Sequence, residues 1–221
     1  MRRIVLLACV LASSASAQTV GVSVRAGTMG VGIDLSTPLL DTVTLRASGR
    51  TLAFDQRGLL DASDLGVDGL DLDYDADIGL GAAGLMVDWH PVGNTFRITA
   101  GAFLHGNNAA AEIRAAEPYY DESLDRTFSV ERVGTLRVEV DYAQRVAPYL
   151  GIGAGDLTAG AFGLTADAGV AFVGPPTIAM SGTGLIGGTA DPANVATLQA
   201  GLDSFRFHPV VSVGLKTSFS L

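Results

Sequence analysis

The sequence is almost without the residues from which disulfide frameworks and metal centres are built. Its 221 residues include one cysteine, Cys9, and three histidines, His90, His105 and His208. A disulfide needs a second cysteine, and a metal centre usually needs three or four ligands. The 28 glycines are dispersed along the chain and form no phosphate-binding loop. We therefore expect no disulfide, no metal site and no cofactor.

The sequence also lacks long apolar runs and an excess of positive charge. No segment after residue 17 has the twenty or so consecutive apolar residues that a transmembrane helix needs, although 48% of the chain is hydrophobic. The 14 basic residues are outnumbered by 23 acidic ones. That balance argues against nucleic acid as a partner and against docking of a basic patch on anionic lipid.

The N-terminus has the three parts of a secretory signal peptide. Two arginines precede an apolar run over residues 4–12, and Ala15-Ser16-Ala17 forms a small-residue cleavage site. We expect a signal peptide over 1–17 and one domain over 18–221. A lipoprotein signal ending at Cys9 is the alternative, but it would leave almost no apolar core before the cysteine. Cleavage after Ala17 removes Cys9 and both arginines, leaving 12 basic against 23 acidic residues.

The mature chain is dominated by a two-residue alternation of apolar and polar side chains, which is the period of a β-strand. The longest example is a hairpin from Asp71 to Leu104, in which four aspartates alternate with apolar residues before a turn at 90–94. Seven strands are predicted, within 20–37, 42–54, 71–89, 95–104, 134–153, 162–173 and 205–221. An eighth lies either in 18–37 or in 175–203. A helical turn is expected near Pro192–Leu202.

Two further features of this pattern predict local structure. Apolar residues occupy even positions up to Leu80 but odd positions from Leu85 to Trp89. Because a one-residue slip reverses the two faces of a strand, we expect a β-bulge or glycine kink within Gly79–Gly84. Short links at 38–41, 90–94 and 154–161 alternate with long polar ones at 55–70, 106–132 and 175–203.

These features together predict an all-β protein, an antiparallel transmembrane β-barrel of about eight strands in the outer membrane. Short periplasmic turns and long external loops are typical of such barrels. A secreted or periplasmic β-sandwich is the alternative, but the long acidic hairpin and the amphipathic terminal strand favour the barrel. Aromatic residues that are candidates for its interfacial girdles are Trp89, Tyr119, Tyr120, Tyr149, Phe205 and Phe207.

The chain resembles the small outer-membrane barrels of the OmpA, OmpW and opacity-protein types, and more closely an uncharacterised proteobacterial set of them. The likeness rests on Leu85-Met-Val-Asp-Trp-His-Pro91, Val146-Ala-Pro-Tyr-Leu-Gly-Ile-Gly153 and Val210-Val-Ser-Val-Gly-Leu215. The final strand departs from the usual signal, since Leu221 and not phenylalanine is last. The resemblance implies location, fold and assembly by the outer-membrane machinery through the C-terminal strand. It implies no catalytic residues.

Charged residues on the polar faces of the predicted strands are the candidate site residues. They are Arg46, Arg50, Asp88, Arg97, Arg137, Glu139, Asp141 and Asp167. An eight-stranded barrel is just wide enough for side chains to fill it, so opposite charges there are expected to pair into a plug. We therefore expect a non-enzymatic protein of envelope integrity or surface interaction, in contact with outer-membrane lipid. A narrow channel for a small polar solute is the alternative.

Two other chemistries receive less support from the residues. The aspartates from Asp71 to Asp77 resemble calcium ligands in type, but carboxylates on one strand form a row and do not wrap an ion. A lipid-modifying enzyme would need a serine beside a histidine, for which only His208 with Ser212 or Ser204 remains. The chain has no Gly-x-Ser-x-Gly motif. No catalytic residue is therefore assigned.

Overall fold

The computed structural model describes residues 19–62, 70–93 and 95–220. The predicted signal peptide over 1–17 lies outside these residues. The described residues contain antiparallel strands throughout, as follows: β1 (Thr19–Gly27), β2 (Gly30–Leu40), β3 (Val43–Asp61), β4 (Asp71–Trp89), β5 (Phe96–His105), β6 (Asn108–Ala115), β7 (Tyr119–Asp121), β8 (Arg126–Phe128), β9 (Thr135–Tyr142), β10 (Val146–Ala154), β11 (Phe162–Phe172), β12 (Pro176–Gly182) and β13 (Phe207–Ser220). The helices are α1 (Val130–Val133), a 3₁₀ segment (Ile186–Ala190) and α2 (Pro192–Leu202).

Eight of the strands pair in a ring, which we call the strand ring. Its order is β1, β2, β3, β4, β5, β10, β11 and β13, and β13 pairs in turn with β1. Of the two places predicted for the eighth strand, 18–37 supplies it to the ring, as β1 and β2 joined by a turn at 28–29, and the strand within 175–203, β12, lies outside the ring. Strand β2 continues to Leu40, into the link predicted at 38–41, and its register beside β3 shifts between Pro38 and Leu40.

The strand ring is apolar on its outer side, and its inner side is polar over much of its length. Along β13, Val213 and Leu215 point outward and are 62% and 67% exposed, whereas Ser212 and Lys216 point inward and are buried. In β10, Tyr149 is buried inside while Leu150 is exposed outside. Alternation along each strand therefore produces two surfaces of opposite character.

Three strands extend the sheet beyond the ring. Residues 52–61 of β3 and residues 71–79 of β4 continue beyond the ring as a strand pair. Strand β6 pairs with this part of β4, β9 pairs with β6, and β12 pairs with β9. We call this part the sheet extension. The segments 55–70, 106–132 and 175–203 were predicted as long loops, but most of their described residues form strands and helices. Their polar character reflects an exposed sheet face and not irregular structure.

Strand β4 passes from the ring into the sheet extension without a bulge. It pairs with β3 in a single register along all nineteen residues, so the bulge predicted within Gly79–Gly84 is wrong. The same outward face carries Leu85 and Trp89 in the ring and Asp71 to Asp77 in the extension. The outward face therefore changes from apolar to acidic along a strand whose register stays constant.

The predicted strand over 134–153 is two strands in different places. β9 ends at Tyr142 in the sheet extension, and β10 begins at Val146 in the ring. Gln144 lies in the break between them and donates its side-chain amide to the carbonyls of Val146 (2.7 Å) and Phe172 (3.1 Å). This separation decides which of the predicted charges reach the interior.

Helix α2 covers one edge of the sheet extension, and it matches the helical turn predicted near 192–202. Asp191 caps it by accepting from the amides of Ala193 and Asn194. Gln199 accepts from the amide of Ile178 and donates to the carbonyl of Pro176, so it bonds the outer edge of β12 as a further strand would. Among the described residues, no helix combines the length and the apolar character needed to cross a membrane.

Candidate functional site

Six charged side chains meet inside the strand ring, three guanidiniums and three carboxylates. Each is at most 3% exposed. They come from six different strands, namely Arg25 (β1), Asp34 (β2), Arg46 (β3), Asp88 (β4), Arg97 (β5) and Asp167 (β11). We call this group the interior ion network. Equal numbers of each sign allow every charge to be paired, which burial demands.

Arg46 is the centre of the network. Its Nε and Nη2 donate to the two carboxylate oxygens of Asp88, each at 2.9 Å, which is the bidentate geometry that guanidinium favours. Its Nη1 lies 3.3 Å from Asp34 Oδ2 and 3.3 Å from Asp167 Oδ2. One side chain therefore contacts all three carboxylates.

The other two arginines complete the pairing from opposite sides. Arg25 forms ion pairs with Asp34 and with Asp167. Arg97 Nη2 lies 2.7 Å from Asp167 Oδ1, and its Nη1 donates to the carbonyl of Gly155 at 2.7 Å. Asp167 is thus held by three guanidiniums at once.

Hydroxyl groups fill the remaining acceptor positions of the carboxylates. Thr99 donates to Asp88 Oδ1 at 2.5 Å, and Ser48 donates to Asp34 Oδ1 at 2.7 Å. Arg50 donates from Nε to Ser48 Oγ at 3.2 Å. Neighbouring hydroxyls therefore supplement the opposite charges, while Arg25 Nη2 has no hydrogen-bond partner in the described part of the chain.

Gly153 gives Arg97 the space that its guanidinium occupies. A Cβ at this position would lie 2.4 Å from Arg97 Cζ, closer than atoms can approach. We expect Gly153→Ala to displace Arg97 and to lower the free energy of unfolding by about 1–3 kcal/mol, as overpacking does. Denaturant unfolding of the refolded protein in detergent measures this. Gly81→Ala is the matched control, because a Cβ there meets nothing within 4 Å. Equal losses in the two variants would contradict the expectation.

An apolar layer lies beside the interior ion network, toward the sheet extension. Phe103 and Tyr149 pack edge to face with ring centroids 5.4 Å apart, and the guanidinium of Arg50 lies 5.6 Å from the Phe103 ring centroid. The buried residues of this layer are Met29, Ala82, Met86, Phe103, Ala147, Tyr149, Ala171, Val173 and Val210. Tyr149 was a predicted girdle residue, but it points inward and is 5% exposed.

The turn between β10 and β11 packs into the other end of the ring. Leu157 in this turn is 2% exposed, and its carbonyl lies so close to Gly21 that a Cβ there would be 2.0 Å away. Lys216 donates to the carbonyls of Ala159 and Gly160. The interior therefore contains, in sequence, a packed turn, the ion network and the apolar layer.

Five of the eight predicted site residues lie inside the strand ring. Arg46, Asp88, Arg97 and Asp167 belong to the interior ion network, and Arg50 lies against the apolar layer. In the β4–β5 pair Asp88 lies opposite Thr99, and Arg97 Nε approaches Asp88 Oδ1 diagonally at 3.6 Å.

The remaining three predicted residues lie outside the ring. Side chains of Arg137, Glu139 and Asp141 are 54%, 51% and 58% exposed on the outer face of the sheet extension. They belong to β9, which the prediction had joined to a ring strand. The prediction missed Arg25, Asp34 and Lys216, although Arg25 and Asp34 lie in strands whose alternation with Ser23 and Ser36 could have revealed them.

The acidic hairpin lies on the same outer face of the sheet extension. Arg57 Nε lies 2.9 Å from Asp75, and Arg114 Nε lies 3.7 Å from Asp73. The pKa of Asp77 is raised, mainly by desolvation and to a smaller extent by the hydrogen bond to Asp55 and the charge of Asp55. Within the described residues, no group of three or more acidic, histidine or cysteine side chains is arranged to hold a metal ion.

No hydrogen bond among the described residues joins His208 to Ser204 or Ser212, the residues considered for an enzyme. Ser204 Oγ donates to the carbonyl of Gly201 at 3.3 Å, and Ser212 Oγ accepts from Arg25 at 3.5 Å. His208 is half-buried. These residues therefore do not form a nucleophile and base pair.

The chain is similar in fold to CarO. The crystal structure of CarO from Acinetobacter baumannii superposes with a TM-score of 0.59 and 17% identity, over 90% of this chain and 97% of CarO. CarO2 from the same organism gives a TM-score of 0.58 and 19% identity, over 92% of this chain and 100% of CarO2.

At these identities the likeness to CarO shows a shared fold and carries no residue roles. It does not bear on the resemblance to OmpA, OmpW or opacity proteins, which stays a prediction. No protein-family model matches the sequence, and no curated protein matches it significantly.

Proposed function

We propose that this chain is an outer-membrane β-barrel with an interior plugged by paired charges, and that it acts non-enzymatically in envelope integrity or surface contacts. The observation that carries the proposal is the interior ion network. Three guanidiniums and three carboxylates pair inside a ring whose outer side is apolar. Soluble proteins have the opposite arrangement, with apolar residues inside.

The outer side of the strand ring supports a position in lipid. Large hydrophobic residues occupy its outward positions and are 44–76% exposed, among them Val31, Ile33, Leu35, Leu85, Val87, Leu150, Ile152, Leu164, Val211, Val213 and Leu215. Five of the ring strands have 9–11 residues, which is the length needed to cross a bilayer at a tilt. A ring of paired strands also leaves no unpaired backbone in lipid.

The two ends of the ring support an orientation. One end has the short links at 41–42, 90–95 and 155–161, and the other carries the sheet extension. In outer-membrane barrels the short turns are periplasmic and the long connections are external. The sheet extension is therefore assigned to the cell surface, and β13 to recognition by the assembly machinery.

A plug is favoured over a conduit because the interior is filled by layers of different chemistry. The packed turn, the interior ion network and the apolar layer follow one another along the ring. An ion crossing them would have to displace buried pairs and then pass between Phe103 and Tyr149. An eight-stranded ring leaves little room beyond its own side chains.

The second candidate is a narrow channel for small polar solutes. The observation in its favour is the polar inner side of the ring, which includes serine and threonine hydroxyls as well as charges. Local opening of the ion network would give such a solute hydrogen-bonding partners along the wall.

Single-channel recording separates the two candidates. The mature chain is refolded in detergent, its folding is checked by heat-dependent gel mobility, and it is added to a planar bilayer. We expect folded, inserted protein without discrete openings. Reproducible openings would contradict the plug and support the channel. In that case Arg46→Ala should shift selectivity toward cations, whereas Arg137→Ala on the exposed face should leave it unchanged.

A further inference from the structure

The sheet extension has a free edge along β3. Strand β2 pairs with β3 only as far as Thr51. From Leu52 to Leu60, β3 pairs with β4 on one side, and no described strand pairs with it on the other. Apolar side chains are exposed along this edge, with Phe54 at 50% and Leu59 at 67%. A long exposed edge of this kind is a template for another strand.

The backbone groups that point to this edge can be identified. A Cβ at Gly30 or Gly32 in β2 would lie 2.1 or 2.2 Å from the carbonyl oxygens of Thr51 and Gly49, so odd-numbered peptide groups of β3 face β2. Peptide groups alternate in direction along a strand. The N–H and C=O groups that face the free edge are therefore those of Ala53, Asp55, Arg57 and Leu59.

We propose that this edge pairs with the same edge of a second copy of the chain, antiparallel and centred on Gln56. In this register Asp55 lies opposite Arg57 of the second copy, and the reverse pair forms at the same time. Leu52 lies opposite the second copy's Leu60. The odd-numbered peptide groups face each other across the interface, as antiparallel hydrogen bonding requires.

Charge selects this register over its neighbours. Only a shift of one strand along the other by an even number of residues keeps the odd-numbered peptide groups facing one another, and the nearest such shifts are of two residues. A shift of two in one direction places Asp55 opposite Asp55, and in the other direction it places Arg57 opposite Arg57. Like charges directly opposite each other destabilise a strand pair, whereas opposite charges stabilise it. The edge is therefore complementary to itself in one register.

The charges already present around Asp55 favour a positively charged partner at the free edge of β3, the side of Asp55 that faces away from β4. Asp55 lies directly opposite Asp77 within the chain, and the two like charges are neighbours on the outer face. The charge and hydrogen bond of Asp55 contribute to the raised pKa of Asp77, after desolvation. Arg57 is 78% exposed, although it pairs with Asp75, so it is accessible to a second carboxylate.

The geometry of this pairing sets the orientation of the two copies. The two-fold axis of an antiparallel pair is perpendicular to its sheet, and the sheet extension continues the wall of the ring. The two rings therefore point in opposite directions. If the ring spans the outer membrane as proposed above, the copies belong to two facing membranes, and the pairing is a contact between cell surfaces. The edge pairing itself depends on neither the membrane nor the plug.

A disulfide trap tests the register. Gln56→Cys places one cysteine on the two-fold axis in a mature chain that otherwise has none, because residues 1–17 contain Cys9. The two Cα atoms would be about 4.5 Å apart, within disulfide reach. Leu59→Cys is the matched control, because the cysteines of the two copies would then be six residues apart along the paired strands, about 20 Å. We expect oxidation of the detergent-refolded protein to give mostly dimer with Gln56→Cys and background dimer with Leu59→Cys. Equal yields would overturn the proposal.

A charge exchange tests the same contact without a covalent trap. Asp55→Arg or Arg57→Asp should each weaken the dimer at least tenfold, measured by analytical ultracentrifugation in detergent. The double exchange, Asp55→Arg with Arg57→Asp, should restore it, since the opposite charges again face one another. Failure of the double exchange to restore a dimer that the single changes weaken would also overturn the proposal. Heat-dependent gel mobility confirms that each variant is folded, and conductance reports on the plug independently.

Discussion

Replacing Arg46 with methionine is expected to lower the free energy of unfolding by about 3–5 kcal/mol, which is the cost of removing one partner from buried ion pairs. Arg46 contacts Asp34, Asp88 and Asp167, and it is 1% exposed. Methionine fills much of the same space without the charge. Three carboxylates would then face two guanidiniums, and Asp88 would lose its bidentate partner.

Denaturant unfolding of the refolded protein, followed by heat-dependent gel mobility, measures this loss. Arg137→Met is the matched control, since Arg137 forms ion pairs with Glu112 and Glu139 that are half-exposed and so contribute little. Adding Asp88→Asn to Arg46→Met should recover part of the loss, because one of the unpaired charges is then neutral. A loss in Arg46→Met no larger than in Arg137→Met would show that the interior ion network contributes little to stability.

The sequence was sufficient to predict strands and the residues that alternate along them. Alternation over 42–54 and 95–104 placed Arg46 and Arg97 on the polar faces of their strands, and both lie in the ring interior. The same pattern was present for Arg25 and Asp34, which occupy polar positions among valines and isoleucines. They could have been found by applying the alternation to 19–36 as two strands.

Alternation could not predict which polar faces meet. Arg97 in β5 and Arg137 in β9 each stand between two apolar residues and two positions after a threonine. Arg97 is fully buried and Arg137 is half-exposed, because β5 joins the ring and β9 joins the sheet extension. The difference depends on pairing between residues far apart in the chain, such as Ala110 with Glu139. A single strand does not contain that information.

The error at Gly79–Gly84 has a different origin. A change in the apolar phase was interpreted as a slip in register, on the assumption that one face of a strand keeps one environment. Strand β4 keeps its register while its outward face changes from Leu85 to Asp77. If the ring lies in lipid as proposed, this change marks the level at which the strand leaves the membrane. A long strand can therefore change from an apolar to an acidic face without any bulge.

Replacing Phe103 with alanine is the second large effect that we expect, a loss of about 3–5 kcal/mol in the free energy of unfolding. Phe103 is 1% exposed and packs against Tyr149 and Arg50. Its removal leaves a cavity in the apolar layer and takes the aromatic face from Arg50. Phe207→Ala is the matched control, because Phe207 points outward and is 62% exposed.

The conductance of this variant reports on how the interior is closed. The interior ion network and the packed turn around Leu157 lie in series with the apolar layer, so widening one layer should leave the others intact. We therefore expect Phe103→Ala to fold with reduced stability and to remain without openings in a planar bilayer. Openings in Phe103→Ala but not in the original protein would show that the apolar layer alone is the barrier. The paired charges would then be the wall of a pathway that Phe103 closes, and not the plug.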